Sequence, residues 1–381
     1  MLALVAVVLV ALSLRGPVSA VGPLLLDLRR DEGLSAGAVA LLPTLPIVCF
    51  GLLAPVAPAL ASRLGLHRAV LAGSGLLLLG VLLRGAGVVG LFAGTVLLGA
   101  GIAVVNVLLP AVVKADLPDR LPLATGLVTA SLALSASLGA GLAEPLRAAT
   151  GGPVASLGLW LVPVAVGLLA WLPLARARER GARVPGAGRV LPLLRDRTAA
   201  AVTAYFGLQS LAFFTMLAWL SAVLRDAGVP AAQAGAMLAV AALLGVPVGF
   251  VVPRRASAPG AQSRWVVLVA VPYAAGLVGL LVAPGSAPWL WSVLLGAGAG
   301  AAFPLALTIV LLRSRDGAQA ARLSACAQGV GYTLCACGPV AVGLLREAAG
   351  SWRPCLVLLL GLLVVQVAVG VAAGRERVVT G

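Results

Sequence analysis

Twelve transmembrane helices in an all-α integral membrane protein, laid out as two six-helix pseudo-repeats, is the architecture that three features of this chain require. Of its 381 residues, 61% are hydrophobic and 10% charged, whereas ordinary soluble domains carry about 25% charged residues. The mean hydropathy of +1.11 describes more apolar surface than a soluble core can hide. The apolar residues also fall into runs of the length that crosses a bilayer, about 20 residues each. The 47 glycines and 25 prolines do not argue for loops, because neighbouring membrane helices re-satisfy the backbone around them.

The spans fall near 2 to 28, 38 to 62, 69 to 84, 88 to 113, 122 to 146 and 153 to 175 in the first half of the chain. In the second they fall near 198 to 224, 232 to 253, 265 to 283, 288 to 312, 319 to 346 and 352 to 373. Met1 leads straight into apolar sequence that continues past Arg15 to Leu26. That run is longer than a signal-peptide core and lacks a basic n-region, so it reads as the first span. The longest polar interruption, 176 to 197, holds seven arginines and the helix-breaking Val184-Pro185-Gly186. The expected organisation is therefore a six-helix half over 1–175, a basic linker over 176–197 and a second six-helix half over 198–381.

Charge orients the helices. The net charge of +15 raises the possibility of a nucleic-acid partner, so the placement of the 27 basic residues decides the matter. With alternate loops on opposite sides, nineteen of them fall on one side and seven on the other, with Arg15 inside a span, while the twelve acids divide evenly. That is the positive-inside pattern. It predicts a multi-pass protein of a bacterial cytoplasmic membrane with both termini cytoplasmic, in contact with lipid and not with nucleic acid.

The two halves resemble each other, as in many secondary transporters. Leu28-Arg29-Arg30-Asp31-Glu32-Gly33 after the first span parallels Leu224-Arg225-Asp226-Ala227-Gly228 after the seventh. Leu146-Arg147-Ala148-Ala149-Thr150-Gly151 parallels Leu345-Arg346-Glu347-Ala348-Ala349-Gly350. Small residues at helix-packing spacing, Ser131, Ser135, Gly139 and Ala143, let backbones approach in the fifth span.

Few residues inside the spans carry chemistry. Arg15 stands near the middle of an apolar run, where an arginine costs about 2.5 to 3.5 kcal/mol on insertion scales. Either it faces an aqueous cavity and binds an anionic or polar solute through its planar fork, or it caps carbonyls freed by Pro17. Ser324, Gln328 and Tyr332 step by four along one face of the eleventh span, as Tyr205 and Gln209 do in the seventh. Asn106 precedes Pro110 by a turn, and Thr308 follows Pro304 by one. Such groups either line a solute site or hold helices together at about 0.6 kcal/mol each. Asp27 and Glu144 are the carboxylates nearest a span and the candidates for proton coupling. Trp219, Trp289 and Trp352 lie near span ends, as in an interfacial belt. His67 reads as a polar residue of a basic loop. The five cysteines, Cys49, Cys326, Cys335, Cys337 and Cys355, lack CxxC spacing and read as small core residues. No metal or cofactor is expected.

Several stretches resemble one family in order along the chain. Leu14-Arg15-Gly16-Pro17 with Val21-Gly22-Pro23-Leu24-Leu25, Leu45-Pro46-Ile47-Val48-Cys49-Phe50-Gly51 and Asn106-Val107-Leu108-Leu109-Pro110 are three of them. Tyr205-Phe206-Gly207-Leu208-Gln209-Ser210, Phe303-Pro304-Leu305-Ala306-Leu307 and Ala327-Gln328-Gly329-Val330-Gly331-Tyr332 continue the series. The chain resembles the major facilitator superfamily and, within it, the cyanate and 2-nitroimidazole transporter branch. The resemblance implies the superfamily's fold and a monomer. It also implies a secondary transporter that moves a small anionic or polar planar solute by alternating access. The superfamily's loop signature between the second and third helices is met by Arg63, Gly65 and Arg68, the expected gating loop, although its aspartate is replaced by Ser62. Gly16 also intervenes before the proline that usually follows the first-helix arginine. The fifth span lacks the glycine-proline motif of proton-coupled drug antiporters.

A membrane enzyme needs a nucleophile and base, paired carboxylates or a metal cluster, and away from their ends these spans hold one charged residue, Arg15, and no histidine. Enzymatic function is therefore not expected. The readings that compete with solute transport of the cyanate or nitroimidazole kind are a non-transporting sensor or partner subunit and an efflux pump for another small compound.

Overall fold

A computed structural model describes residues 2–53, 56–117, 120–176, 191–258, 260–315 and 317–379. Most of the linker expected at 176–197 lies outside the described residues. Regular structure in the described residues is helical, and twelve helical stretches are long and apolar enough to cross a membrane.

The first crossing is broken where the sequence places its odd residues. Helices Leu2–Leu14, Gly16–Ser19 and Val21–Asp31 follow one another, interrupted at Arg15 and Ala20. Pro17 and Pro23 each lack the N–H that an unbroken ladder needs. The second crossing comprises Ala36–Leu53 and Val56–Leu64. The seventh, by contrast, is one helix, Arg197–Asp226, started by the Asp196 carboxylate, which accepts from the Thr198 and Ala199 amides at 2.7 and 3.0 Å. This is the acceptor that an N-terminal turn prefers. Helices Leu121–Thr150 and Gly317–Ala349 end at Gly151 and Gly350, with φ of 80° and 66°. That left-handed turn closes a helix and costs a glycine little.

Burial sorts the crossings. In its most apolar 18-residue stretch 94% of the residues of the seventh are buried, against 28% in the corresponding stretches of the sixth and of the twelfth. The seventh is thus the central post, while the sixth and twelfth present apolar faces outward. Exposed Val162, Leu169, Val357 and Val364 on those two helices are what a lipid-facing surface needs.

The repeat suspected from helix ends recurs in contacts. Ser156 Oγ donates to the Ala143 carbonyl at 2.9 Å, and Cys355 Sγ lies 3.5 Å from the Val342 carbonyl, both partners having moved on by 199 residues. On the face that carries the basic loops, each half is tied across three crossings. In the first half His67 Nε2 meets Asp116 at 2.8 Å, and Trp171 Nε1 donates to the His67 carbonyl at 2.9 Å. In the second, Arg313 donates to Gln262 Oε1 at 2.7 Å and to the carbonyls of Ala373 and Gly374 at 3.1 and 2.9 Å.

The halves meet toward the opposite face. Asp27 of the first crossing pairs with Arg225 of the seventh at 2.7 Å, and Arg225 also donates to the Pro23 carbonyl. A Cβ on Gly22 would overlap the Leu217 carbonyl, and one on Gly235 would stand 2.9 Å from the Ala140 carbonyl. Gly343 likewise closes on Ala40. These contacts join the first and seventh, fifth and eighth, and second and eleventh crossings.

Candidate functional site: an arginine at a helix break

The break in the first crossing presents Arg15 to the other half. Its guanidinium carbon lies 5.6 Å from the centroid of the Phe214 ring on the seventh helix. A cation over an aromatic face gains about 0.5 to 2 kcal/mol, the more so when desolvated. Tyr332 of the eleventh helix stands against the same Phe214 ring, with the centroids 6.3 Å apart. Its Nε is buried without a hydrogen-bond partner among the described residues. A buried donor left unpaired is costly, so this one is suited to an acceptor that arrives with a solute.

Around it lies an aromatic cluster drawn from four crossings. Tyr332 meets Phe50, Phe206 and Phe214 edge-on, with centroids 5.7, 5.4 and 6.3 Å apart. Phe50 stands 6.2 Å from Phe214, and Phe303 stands 5.8 Å from Phe206. Tilted and edge arrangements of this kind are the favoured geometries of aromatic pairs. Beside them Gln328 Nε2 donates to Ser324 Oγ at 2.9 Å, one turn earlier on the helix that carries Tyr332. Asn106 is half-buried on the fourth crossing.

Other residues singled out in the sequence point elsewhere. Tyr205 is 1% exposed, and its ring lies against Gly370 of the twelfth helix. Gln209, also buried, spends its Nε2 on the Phe206 carbonyl and Ser210 Oγ. Tyr205 thus packs into its own half, while the Gln209 Oε1 is buried without a hydrogen-bond partner among the described residues. Thr308 Oγ1 donates to the Pro304 carbonyl at 2.8 Å, one turn back in its own helix. Glu144 is held by both Arg147 donors at 2.7 and 2.8 Å, and Asp27 by Arg225. Arg63 and Arg68 are exposed, on either side of Gly65, which starts the third span at φ 90°.

Trp289 is exposed as an interfacial residue should be, but Trp219 is buried. It donates to the Pro339 carbonyl and lies 5.7 Å from the Trp352 ring, and Trp352 in turn donates to Asp226. Those two tryptophans tie helices within the second half, which corrects the expectation of a belt. His67 is likewise a tie and not a plain loop residue. Sequence reasoning missed Arg84 entirely. It appeared to be the loop residue that ends the third span, yet its side chain is buried and turned inward.

With this geometry in view, the chain matches the family model described as Major Facilitator Superfamily over residues 4–336. The chain belongs to the major facilitator superfamily. Three curated superfamily relatives align over nearly its whole length. The "Uncharacterized transporter YycB" of Bacillus subtilis (strain 168) is 36% identical over 97% of this chain and 93% of its own. The "2-nitroimidazole transporter" of Escherichia coli (strain K12) is 32% identical over 97% and 95%. The "Cyanate transport protein CynX" of the same organism is 30% identical over 92% and 91%. The fold agrees with the solved structure of a bacterial homologue of the human lysosomal transporter Spinster. The TM-score is 0.75 at 14% identity, over 98% of this chain and 96% of that one. The resemblance carried by the sequence motifs and the twelve-helix expectation both hold. The superfamily is one of transporters, not of enzymes.

Proposed function

We propose that this transporter moves a small anionic or polar planar solute across the bacterial cytoplasmic membrane, by alternating exposure of a site centred on Arg15. The observation that carries the reading is the unspent Arg15 Nε beside Phe214 and Tyr332. A planar fork next to aromatic edges recognises a flat group bearing negative charge or hydrogen-bond acceptors. Cyanate and 2-nitroimidazole, named for two relatives, meet that description. Gln328 and Asn106 supply the polar side of the site, and Thr308 is at most its support.

The basic face is assigned to the cytoplasm by the excess of arginine. The two halves close on the other face, which supports reading this conformation as one that opens inward. In the reverse conformation the halves separate there, and Asp27 loses a partner that belongs to the other half. Asp27 is therefore the carboxylate we assign to any proton coupling, ahead of Glu144, whose arginine lies on its own helix. Arg63, Gly65 and Arg68 remain the proposed gating loop on the cytoplasmic side.

The test is uptake of labelled cyanate into proteoliposomes, with 2-nitroimidazole and benzoate as competitors. Uptake that Arg15→Gln abolishes in a folded protein supports the site. Uptake that survives the substitution returns Arg15 to a structural role.

A further inference from the structure

The third crossing ends in an arginine that faces inward. Arg84 is 1% exposed; two of its nitrogens have acceptors, and Nη2 is buried without one among the described residues. Nη1 donates to the Pro17 carbonyl at 2.7 Å and Nε to Thr95 Oγ1 at 3.1 Å. The Thr95 hydroxyl spends its own hydrogen on the Leu91 carbonyl at 2.7 Å, so it is fixed as an acceptor for the guanidinium.

Pro17 belongs to the stretch Gly16–Ser19, where the helical ladder is interrupted at Arg15 and Ala20 while both keep right-handed backbone and the Ser19 and Ala20 amides still donate to the Arg15 and Gly16 carbonyls. Pro17 and Pro23 each remove a ladder bond, so this turn leans on its neighbours. Three other crossings grip it. The fifth accepts the Gly16 amide on Ser135 Oγ at 2.8 Å. The sixth lays the Trp160 ring where a Gly16 side chain would be. The third supplies Arg84. Of the three, only Arg84 fixes a direction as well as a distance, because a guanidinium is a rigid plane whose donors cannot turn independently. A neutral donor would satisfy one carbonyl. Burying a guanidinium for that purpose alone is costly, and an intramembrane charge of this kind marks function by default.

The residue immediately before this turn is Arg15. We infer that Arg84 is a positioning residue for solute binding. It orients the turn Gly16–Ser19 through the Pro17 carbonyl, so that the Arg15 guanidinium stands over Phe214 with its Nε free for the solute. The inference rests on the binding role proposed for Arg15.

The experiment measures cyanate binding to purified protein in nanodiscs for Arg84→Lys and Thr95→Val, each made in the wild-type and in the Arg15→Lys background. Alongside, hydrogen–deuterium exchange is followed in a peptide covering residues 15–22. Lysine keeps the charge at position 84 but cannot serve both acceptors, so Arg84→Lys weakens binding about 10-fold and Thr95→Val about 3-fold. In the Arg15→Lys background both factors fall below about 2, because a flexible ammonium has no plane to orient. Exchange in the 15–22 peptide rises in both variants. Equal factors in the two backgrounds, or affinity unchanged while thermal stability falls, overturn the inference. Thr95→Val removes the acceptor of Arg84 Nε, and with it only the hydroxyl's bond back to Leu91 in its own helix, with almost no change of volume, so it carries the test if Arg84→Lys does not fold. Wild-type protein that binds no cyanate counts against the proposed site alone. In that case unchanged exchange in the 15–22 peptide still refutes the role of Arg84.

Discussion

The pair Asp27–Arg225 is the contact whose loss has the plainest consequence, because its two residues belong to different halves. The Asp27 side chain is 4% exposed and that of Arg225 21%, with 2.7 Å between them. Removing one partner of a fully buried pair costs about 3 to 5 kcal/mol. That figure is reduced here because the arginines left behind are not stranded: Arg225 keeps some solvent and the Pro23 carbonyl, and Arg30, 3.5 Å from Asp27, has a side chain 72% exposed. About 2 kcal/mol is a reasonable value for Asp27→Asn, which preserves shape and removes charge. At 1.4 kcal/mol per factor of ten, that moves the ratio of closed to open forms on this face about 30-fold. Spin labels on cysteines placed at exposed Ala148 and Ala348, one in each half, report the separation by pulsed electron resonance, with exposed Cys337 replaced by serine. Asn at 27 gives a longer-distance population, and the exchanged pair Asp27→Arg with Arg225→Asp returns the short one. A distance distribution that Asp27→Asn leaves unchanged would refute the assignment of this pair as the closure between halves.

Three further outcomes follow from named contacts. Gly22→Val places a side chain on the Leu217 carbonyl, so the same label pair reports loss of the closed form and transport falls at least about tenfold, as expected for overpacking of about 1 to 3 kcal/mol. Phe214→Leu removes the ring under Arg15 but keeps an apolar side chain there, raising the KM for cyanate about 2- to 30-fold with little effect on expression, the equivalent of about 0.5 to 2 kcal/mol of cation–aromatic attraction. Trp171→Phe deletes the donor to the His67 carbonyl and lowers thermal stability by about 1 kcal/mol, with solute affinity preserved because the tie lies on the basic face, away from Arg15.

What the sequence disclosed and what it withheld divide along range. Hydropathy is a local property, and the twelve crossings emerged from it with ends displaced by a few residues. The first, expected over 2 to 28, runs to Asp31, where Asp27 and Arg30 complete the final turns. Helix-end chemistry is local as well, so the kinship of Gly151 with Gly350 could be read before any contact was known. Arg15 announced itself as a charge amid apolar residues. Arg84 could not, because it follows the last apolar residue of a span, where a loop arginine is ordinary; only the approach of the chain 67 residues away turns it inward. Tyr205 and Gln209 show the complementary limit. Periodicity places both on one face of the seventh helix, but a helix buried all round has no face that sequence alone can assign to the site. The tryptophans near span ends mislead similarly, since position along the axis says nothing about the direction around it.

The unbroken seventh helix and the twice-interrupted first helix occupy equivalent places in the two repeats, and their difference has a mechanical consequence. A continuous post transmits displacement from end to end without storing it. An interrupted one can change its upper and lower segments separately, around a turn that neighbouring helices grip. The second half thus supplies the stiff counterpart and the first half the compliant joint, with the charged side chain mounted on the joint itself. The repeat gives both halves the same frame, and of these two equivalent crossings only the one that carries Arg15 is interrupted.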